Sequence, residues 1–213
     1  ARFGEGDVQW MTAGRGIVHA EMFPLREPDR ENPVELFQIW LNLPARDKMV
    51  EPHFSMLWSA RLPTAVRTDA RGRRASVTVV TGRFEDAEAP APPPRSWAGR
   101  ADSEVAIWTI RLDPGAELTL PPVRPGTNRS LYVFSGVGLT VSARAVPDHG
   151  CLELDGPGPV PLAGGPAPVE LLLLQGQPIR EPVAQHGPFV MTTREELRDA
   201  YRDFERTRFG GWP

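Results

Sequence analysis

Cysteine and lysine are almost absent from this sequence. Its 213 residues include one cysteine, Cys151, and one lysine, Lys48, and the other basic residues are arginines. A single cysteine excludes an intrachain disulfide, so the sequence carries no sign of an oxidising compartment. The surrounding letters HGCLEL predict that Cys151 is a buried strand residue. Because the net charge is −3 and basic runs are missing, we expect no direct nucleic-acid partner.

Long apolar runs are missing as well. The longest, such as Leu171–Leu174, are four residues, far shorter than the roughly 20 residues that span a bilayer. The chain does not open on a charged head followed by an apolar core, which a signal peptide would have. We therefore expect no membrane partner and a cytoplasmic location.

Proline and glycine, in contrast, are frequent and dispersed. The 24 prolines and 20 glycines are typical of many short strands joined by turns. From Ala75 onward, strand-like segments recur about every ten residues, which predicts an antiparallel sandwich or barrel. These segments read ASVTVVTG, EVAIWTIRL, AELTLP, RSLYVFSG, GLTVSA, GCLEL and VELLLLQG.

The first part of the chain contains one further strand pattern. Glu35–Leu43 alternates two sets of side chains in a way that predicts a strand with one firmly buried face, and Pro44 ends it. The polar letters PARDKMVEPHF that follow predict a connector. His53 lies in this connector, and we expect a surface histidine there rather than a metal ligand. His149, in the turn PDHG, is expected at the surface too.

The end of the chain predicts one amphipathic helix. Thr193 is a suitable N-cap, acidic residues follow in the first turn, and apolar residues recur at three- and four-residue spacing. The letters IREPVAQHGPFVM before it predict an irregular polar loop. For Gln185 and His186 in this loop, we favour a hydrogen-bonded anchor over an active-site role.

Two metal-ligand candidates lie in Gly6–Glu21, which reads GDVQWMTAGRGIVHAE. A strand is predicted for its first half, and Gly14 and Gly16 allow positive φ before an extended run resumes at Ile17. His19 and Glu21 are two residues apart, so on a strand their side chains point to the same side. A mixed nitrogen and oxygen pair suits a divalent transition metal.

The segment GDVQWMTAGRGIVHAE closely resembles the signature of the pirin family. So do the last residues, GQPIREPVAQHGPFVMTTREELRDAYRDFERTRFGGWP. The resemblance implies an all-β, two-domain cupin, a double β-barrel of the jelly-roll type, with a C-terminal α-helix. It assigns residues 1–53 to the remaining part of the N-terminal metal-binding barrel and its connector. Residues 54–213 then form the second, metal-free barrel and the closing helix.

In the family, two histidines of an earlier H-x-H motif complete a four-ligand iron site, and the resemblance makes His19 and Glu21 the other two ligands. Only five residues precede Gly6, so on this resemblance we expect the first barrel to be N-terminally incomplete in this sequence. We expect Fe(II) or another divalent transition metal in the complete protein. The chain as written, with two ligands, should bind metal weakly or not at all.

The second barrel is expected to hold no metal. The segment LDPGAELTLPPVRPGTNRSLYVFSG has the layout of a cupin's first motif, a glycine, a strand, a turn and a second strand that ends in glycine. The middle of that motif, where a metal-binding cupin carries H-x-H, reads LPPVRPG. These letters include no histidine, cysteine or carboxylate, so a comparable site cannot form there.

Three functions remain open from the sequence. The leading hypothesis is a non-haem oxygenase of the quercetin 2,3-dioxygenase type, which takes a flavonol-like small molecule and O₂ and uses Glu21 as both ligand and general base. The alternative is an iron-dependent regulatory protein, like a transcription cofactor, that binds a protein partner without turnover. The third is a metal-free fragment.

Overall fold

The computed structural model describes residues 3–211 of the chain. One α-helix, α1, spans Arg194–Thr207, and short 3₁₀ turns lie at Ala45–Asp47, Ser59–Arg61, Trp97–Gly99 and Arg208–Gly210. The strands are β1 Val8–Thr12, β2 His53–Leu57, β3 Thr64–Thr68, β4 Arg74–Thr81, β5 Arg83–Phe84, β6 Ala87–Glu88, β7 Ala106–Leu112, β8 Glu117–Leu120, β9 Asn128–Ser135, β10 Thr140–Val141, β11 Arg144–Ala145, β12 Cys151–Glu153, β13 Val160–Ala163, β14 Val169–Gly176, β15 Ala184–His186 and β16 Phe189–Met191.

The described residues divide into two compact units. Unit 1 consists of the N-terminal residues through Thr12 together with Phe54–Ile179. Unit 2 consists of Ala13–His53 together with the chain from Arg180 onward. The domain boundary that we predict after residue 53 stays a prediction.

Unit 1 contains two large antiparallel sheets in addition to the two-stranded pairs β1–β2 and β5–β6. The larger has six strands in the order β12-β9-β14-β7-β4-β3, and the smaller has four in the order β11-β10-β13-β8. Strands of both sheets contribute buried side chains to one apolar core. At its centre the ring of Phe84 meets Trp108 edge to face, with 5.2 Å between ring centroids. Strand alternation explains this core, because one face of each sheet is apolar and needs a partner layer.

The antiparallel sandwich expected from Ala75 onward is confirmed. Each strand-like segment of the sequence contains an observed strand: β4, β7, β8, β9, β10, β12 and β14. Strands β3, β5, β6, β11 and β13 lie outside the segments named from the sequence: β3 precedes Ala75, β5, β6 and β11 are two residues long, and Pro161 interrupts the pattern of β13. The prediction that Cys151 is buried is wrong: the residue lies on β12 as expected, but its side chain is exposed. Leu152 points inward on this short strand, so period-two alternation turns its neighbour outward.

The strand prediction for Glu35–Leu43 is wrong. No strand is assigned there, and Leu36 and Trp40 are 51% and 56% exposed. The apolar alternation is present, but none of the described strands pairs with this segment. A strand is stable only where a neighbour satisfies its backbone groups, so the pattern alone does not produce one.

Unit 2 contains helix α1 and a β15–β16 hairpin. The helix begins with a complete capping box: the Glu196 amide donates to Thr193 Oγ1 at 3.2 Å, and the Thr193 amide donates back to Glu196 Oε2 at 3.0 Å. The predicted helix and its N-cap are therefore confirmed. The irregular loop predicted before the helix is instead the hairpin, in which Ala184 pairs with Met191 and His186 with Phe189. Gly187, with φ of 52°, lies in the tight turn between the two strands. The polar composition of this segment did not indicate a strand pair.

Candidate metal centre

A glycine turn precedes the two candidate ligands. Within unit 2, the Gly16 amide donates to the Ala13 carbonyl at 2.9 Å, and Gly14 and Gly16 have φ of 51° and 128°. Both conformations favour glycine. A side chain at Gly14 would also meet a backbone atom, because a Cβ there would lie 2.1 Å from the Val50 carbonyl oxygen. The two glycines of the sequence motif are therefore required by conformation, and Gly14 also by a close backbone contact.

His19 and Glu21 come together after this turn. Nδ1 of His19 lies 3.9 Å from Oε1 of Glu21, and the two side chains are 39% and 24% exposed. The predicted extended run from Ile17 is not a strand in the structure, because no described strand pairs with it. The two side chains nevertheless approach each other as a shared site requires.

Their geometry fits a metal as one part of a ligand set. Imidazole nitrogen and carboxylate oxygen ligands lie about 2.0–2.2 Å from an ion such as zinc, so two of them on one ion are about 3.4 Å apart at a tetrahedral angle and at most about 4.3 Å apart when they lie opposite each other. The observed 3.9 Å is within that limit. Among residues 3–211 there is no cluster of three or more histidine, cysteine, aspartate or glutamate side chains that could hold an ion. His19 and Glu21 therefore offer two ligands, and their assignment as metal ligands stays a prediction.

Lys48 is a buried cation of unit 2 that sequence reasoning missed. Its ammonium donates to Asn42 Oδ1 at 2.7 Å and to the Val190 carbonyl at 3.3 Å. Burial lowers the pKa of Lys48, while the carboxylates of Glu181 and Glu196 act in the opposite direction. The one available signal was its identity as the only lysine in an arginine-rich chain. Its hydrogen bonds tie the segment after the candidate ligands to the hairpin.

The other three histidines are not expected to be metal ligands with His19 and Glu21. His53 and His149 are exposed, and His149 has φ of 55° in its turn. His186 is exposed on β15, and its carbonyl accepts a hydrogen bond from the Tyr201 hydroxyl at 3.1 Å. The His186 and Tyr201 rings are also 5.7 Å apart, edge to face. The hydrogen bond uses the main-chain carbonyl and holds the hairpin to helix α1, so the anchor role that we expect for the His186 side chain stays a prediction.

Unit 1 carries a buried guanidinium in the interior of its sandwich. Arg129 is 2% exposed, and its Nη1 makes one long hydrogen bond of 3.4 Å to the Gly158 carbonyl. Its Nε and Nη2 atoms are buried without a hydrogen-bond partner among the described residues. Burial lowers the pKa of Arg129. The neighbouring Pro157 carbonyl accepts the amide of Val123, so Arg129 lies at the end of the sandwich that carries the letters LPPVRPG.

The buried Arg129 guanidinium supports the expectation that the second barrel holds no metal. A buried positive charge repels a second cation, and the repulsion is strong where the effective dielectric constant is low. Arg129 therefore opposes metal binding at this end of the sandwich, beyond the missing ligands in LPPVRPG. The metal-free barrel stays a prediction.

The architecture defines the class of protein. Sheets of six and four antiparallel strands enclose one core, and one α-helix lies near the end of the described chain, as expected for a cupin. A crystal structure of quercetin 2,3-dioxygenase from Acinetobacter baumannii is similar over 97% of this chain and 67% of its own, with a TM-score of 0.72 and 25% identity. The chain is therefore a cupin.

Sequence comparison identifies the family within that class. The family model described as "Pirin C-terminal cupin domain" matches residues 107–210, and the one described as "Pirin" matches residues 1–41. A pirin-like protein from Caulobacter vibrioides is 35% identical over 97% of this chain and 68% of its own length. The chain belongs to the pirin family.

Two further relatives carry informative names. A Pseudomonas aeruginosa protein named "Putative quercetin 2,3-dioxygenase PA2418" is 35% identical over 98% of this chain and 68% of its own. Human pirin is 33% identical over 96% of this chain and 66% of its own. The chain thus spans about two thirds of the length of these relatives. None of the helices described here is long and apolar enough to cross a bilayer.

Proposed function

We propose that the whole protein is a non-haem, metal-dependent oxygenase that acts on flavonol-type substrates, with His19 and Glu21 as two of its metal ligands. The observation that carries the proposal is the 3.9 Å approach of the two side chains within the segment that matches the pirin family. Similarity to proteins named as quercetin 2,3-dioxygenases supports the substrate class.

His19 and Glu21 have distinct roles in this proposal. When bound, a divalent transition metal such as Fe(II) supplies a Lewis acid and open positions at which a flavonol and O₂ meet. The His19 imidazole, neutral when it binds a metal, holds the ion through one ring nitrogen. The Glu21 carboxylate has two oxygens, so one can contact the ion while the other accepts the flavonol hydroxyl proton. Its side chain is 24% exposed, which leaves it accessible to a substrate.

One observation favours a second candidate, a regulatory protein that binds a partner. Unit 2 exposes several large apolar side chains in the stretch that follows the candidate ligands: Met22, Phe23, Leu25, Val34, Leu36 and Trp40 are each more than half exposed. Exposed large apolar side chains in such number are typical of protein-binding faces. Metal-dependent binding of a protein through this stretch, without turnover, is the alternative to the oxygenase.

Oxygen uptake by the metal-loaded full-length protein, with quercetin as the probe, tests the oxygenase proposal. We expect quercetin-dependent uptake by the wild type and its loss in Glu21→Gln, even when that variant is saturated with metal, because the amide cannot accept the hydroxyl proton. His53→Ala is the matched control, since that histidine is exposed and is not placed in the site.

Uptake by metal-saturated Glu21→Gln at the wild-type rate would show that the general-base role is wrong. Absence of uptake in metal-loaded wild type would overturn the oxygenase and leave the regulatory protein as the leading function. The two results are distinguishable, because metal content is measured in the same samples.

A further inference from the structure

The ring of Phe209 lies directly against the glycine turn that precedes the candidate ligands. A Cβ built on Gly16 would be 2.6 Å from the Cγ, Cδ1 and Cδ2 atoms of the Phe209 ring. This contact lies within unit 2 and joins residues almost two hundred positions apart in the chain. No real Cβ tolerates such a distance, so the ring rests where only a glycine leaves room. The contact is three residues before His19.

The backbone of Phe209 adopts an uncommon conformation to make this contact. Helix α1 ends at Thr207, and both Arg208 and Phe209 then have φ of 50°, in the left-handed region that bulky residues avoid. The Phe209 amide donates to Thr207 Oγ1 at 3.1 Å, which helps to hold this bend. Strained residues of this kind persist where the surrounding structure determines them, and they concentrate at functional sites.

The Phe209 ring is itself fixed by other aromatic side chains of the unit. Its centroid is 5.4 Å from that of Phe204 and 6.0 Å from that of Phe189. The guanidinium of Arg208 lies over the Phe204 ring, 5.2 Å from its centroid. Rings at these separations and tilts attract one another, so Phe209 is held firmly by the end of the helix and the hairpin.

The opposite side of the glycine turn is held by backbone. The Arg15 amide donates to the Val50 carbonyl at 2.9 Å, and the Arg15 guanidinium is 2.7 Å from the Glu51 carboxylate. Gly14 approaches the Val50 carbonyl so closely that a Cβ does not fit. The ion pair is exposed and contributes little. The turn is therefore fixed by the Val50 carbonyl through Gly14 and Arg15, and by the Phe209 ring at Gly16.

We propose that Phe209 is a positioning residue for the His19 and Glu21 pair. The segment that carries the pair forms no strand with any described element, so sheet pairing does not orient it. Phe209 replaces that support: its ring fixes the turn at Gly16, and the short chain from Gly16 to Glu21 sets the approach of the two ligands. The positioning itself needs no metal, whereas its consequence for metal affinity rests on the proposed function.

Hydrogen exchange of the full-length protein tests the positioning directly. In Phe209→Ala we expect amides in residues 13–21 to exchange at least about ten-fold faster, because the turn loses the ring that holds it. Phe209→Tyr, which keeps the ring, should exchange like the wild type. Phe204→Ala is the graded comparison: it removes a ring that packs on Phe209 but is not among the three nearest contacts of Gly16, so a smaller effect on these amides is expected.

The second arm measures Ni(II) affinity of the same proteins by competition with a chelating dye. Phe209→Ala should bind Ni(II) about 10- to 100-fold more weakly, the usual effect of losing a residue that orients a ligand, and Phe209→Tyr should restore the affinity. Exchange of the α1 amides in the same experiment reports whether the helix remains folded.

Unchanged exchange in residues 13–21 of Phe209→Ala would overturn the positioning role. An equal effect of Phe204→Ala on these amides would do the same, because it would mean general loosening of the aromatic cluster. If the wild type binds no Ni(II), the proposed metal site fails, while the exchange result still decides whether Phe209 holds the segment.

Discussion

Replacing the buried Arg129 with methionine should stabilise unit 1. The guanidinium lies inside the sandwich with Nε and Nη2 unpaired and one 3.4 Å hydrogen bond. A buried charge without a partner costs several kcal/mol, and apolar replacements of buried charged groups often stabilise by about 1–4 kcal/mol. Methionine keeps an unbranched chain, is shorter than arginine by the end of the guanidinium, and loses only the long hydrogen bond to the Gly158 carbonyl. We expect a net gain of about 1–3 kcal/mol in the free energy of unfolding.

Hydrogen exchange of peptides from β7, β9 and β14 measures this gain within unit 1. A change of 1–3 kcal/mol corresponds to roughly 5- to 150-fold slower exchange of the best-protected amides. Arg111→Met is the matched control: its guanidinium is half exposed on β7 and pairs with Glu170 at the surface. Exposed pairs contribute about 0–1 kcal/mol, so this control should leave exchange nearly unchanged or slightly faster.

The gain should not depend on pH across the neutral range. Burial lowers the pKa of Arg129 from its very high ordinary value, yet an arginine remains charged in both the folded and unfolded states near neutrality. The protons bound in the two states are then equal, so this residue contributes no pH slope. If Arg129→Met accelerated exchange more than Arg111→Met does, the guanidinium would be a net stabilising group and the reasoning would be wrong.

Three other changes test the remaining structure. Burial lowers the pKa of Lys48, so its ammonium loses the proton at a lower pH in the folded state than in the unfolded state, and unit 2 should become more stable as pH rises towards 10.5. Lys48→Met should reduce this rise in stability, measured by hydrogen exchange over a pH series. An unchanged dependence of stability on pH would contradict the burial of the ammonium. Cys151 is exposed, so a thiol reagent should modify the native protein fully without denaturant; protection until unfolding would place it in the core. Thr193→Ala removes half of the capping box and should lower the stability of the first turn of α1 by ~1 kcal/mol, which corresponds to about five-fold faster hydrogen exchange there. Unchanged exchange would argue against the cap.

The sandwich of unit 1 could be predicted because local signals and tertiary packing agree there. Alternation in segments such as β7 and β14 coincides with a partner layer on the apolar side, and the turns between them carry glycine or proline. Thr193 and Glu196 similarly determine where α1 begins through contacts only three residues apart.

In two other segments, the structure depends on neighbouring strands that the local sequence pattern does not reveal. The alternation in Glu35–Leu43 is strong, but a strand also needs a neighbour, and the described chain provides none. For Cys151, the apolar neighbours suggested burial, yet the face of a short edge strand is decided by its pairing register with β9.

In the candidate metal centre, too, some contacts were expected from the local sequence and others could not be predicted. His19 and Glu21 approach each other as expected, but the strand from which that expectation was derived did not form, so the two-residue spacing alone does not explain the approach. The contact between Phe209 and Gly16 could not be predicted, because it joins the two ends of the described chain through an unusual backbone bend. No short-range pattern in the sequence reports such a contact.

Metal binding by full-length His19→Ala, compared with His53→Ala, tests the central claim most directly. Competition titrations with Ni(II), and with Fe(II) under anaerobic conditions, measure the affinity of each variant and of the wild type. If His19 is a ligand, its loss should weaken binding by more than the roughly 10- to 100-fold that changes around a ligand cause, while His53→Ala should match the wild type. Equal affinity of His19→Ala and the wild type would contradict the assignment of His19 and, with it, the metal centre proposed for this protein.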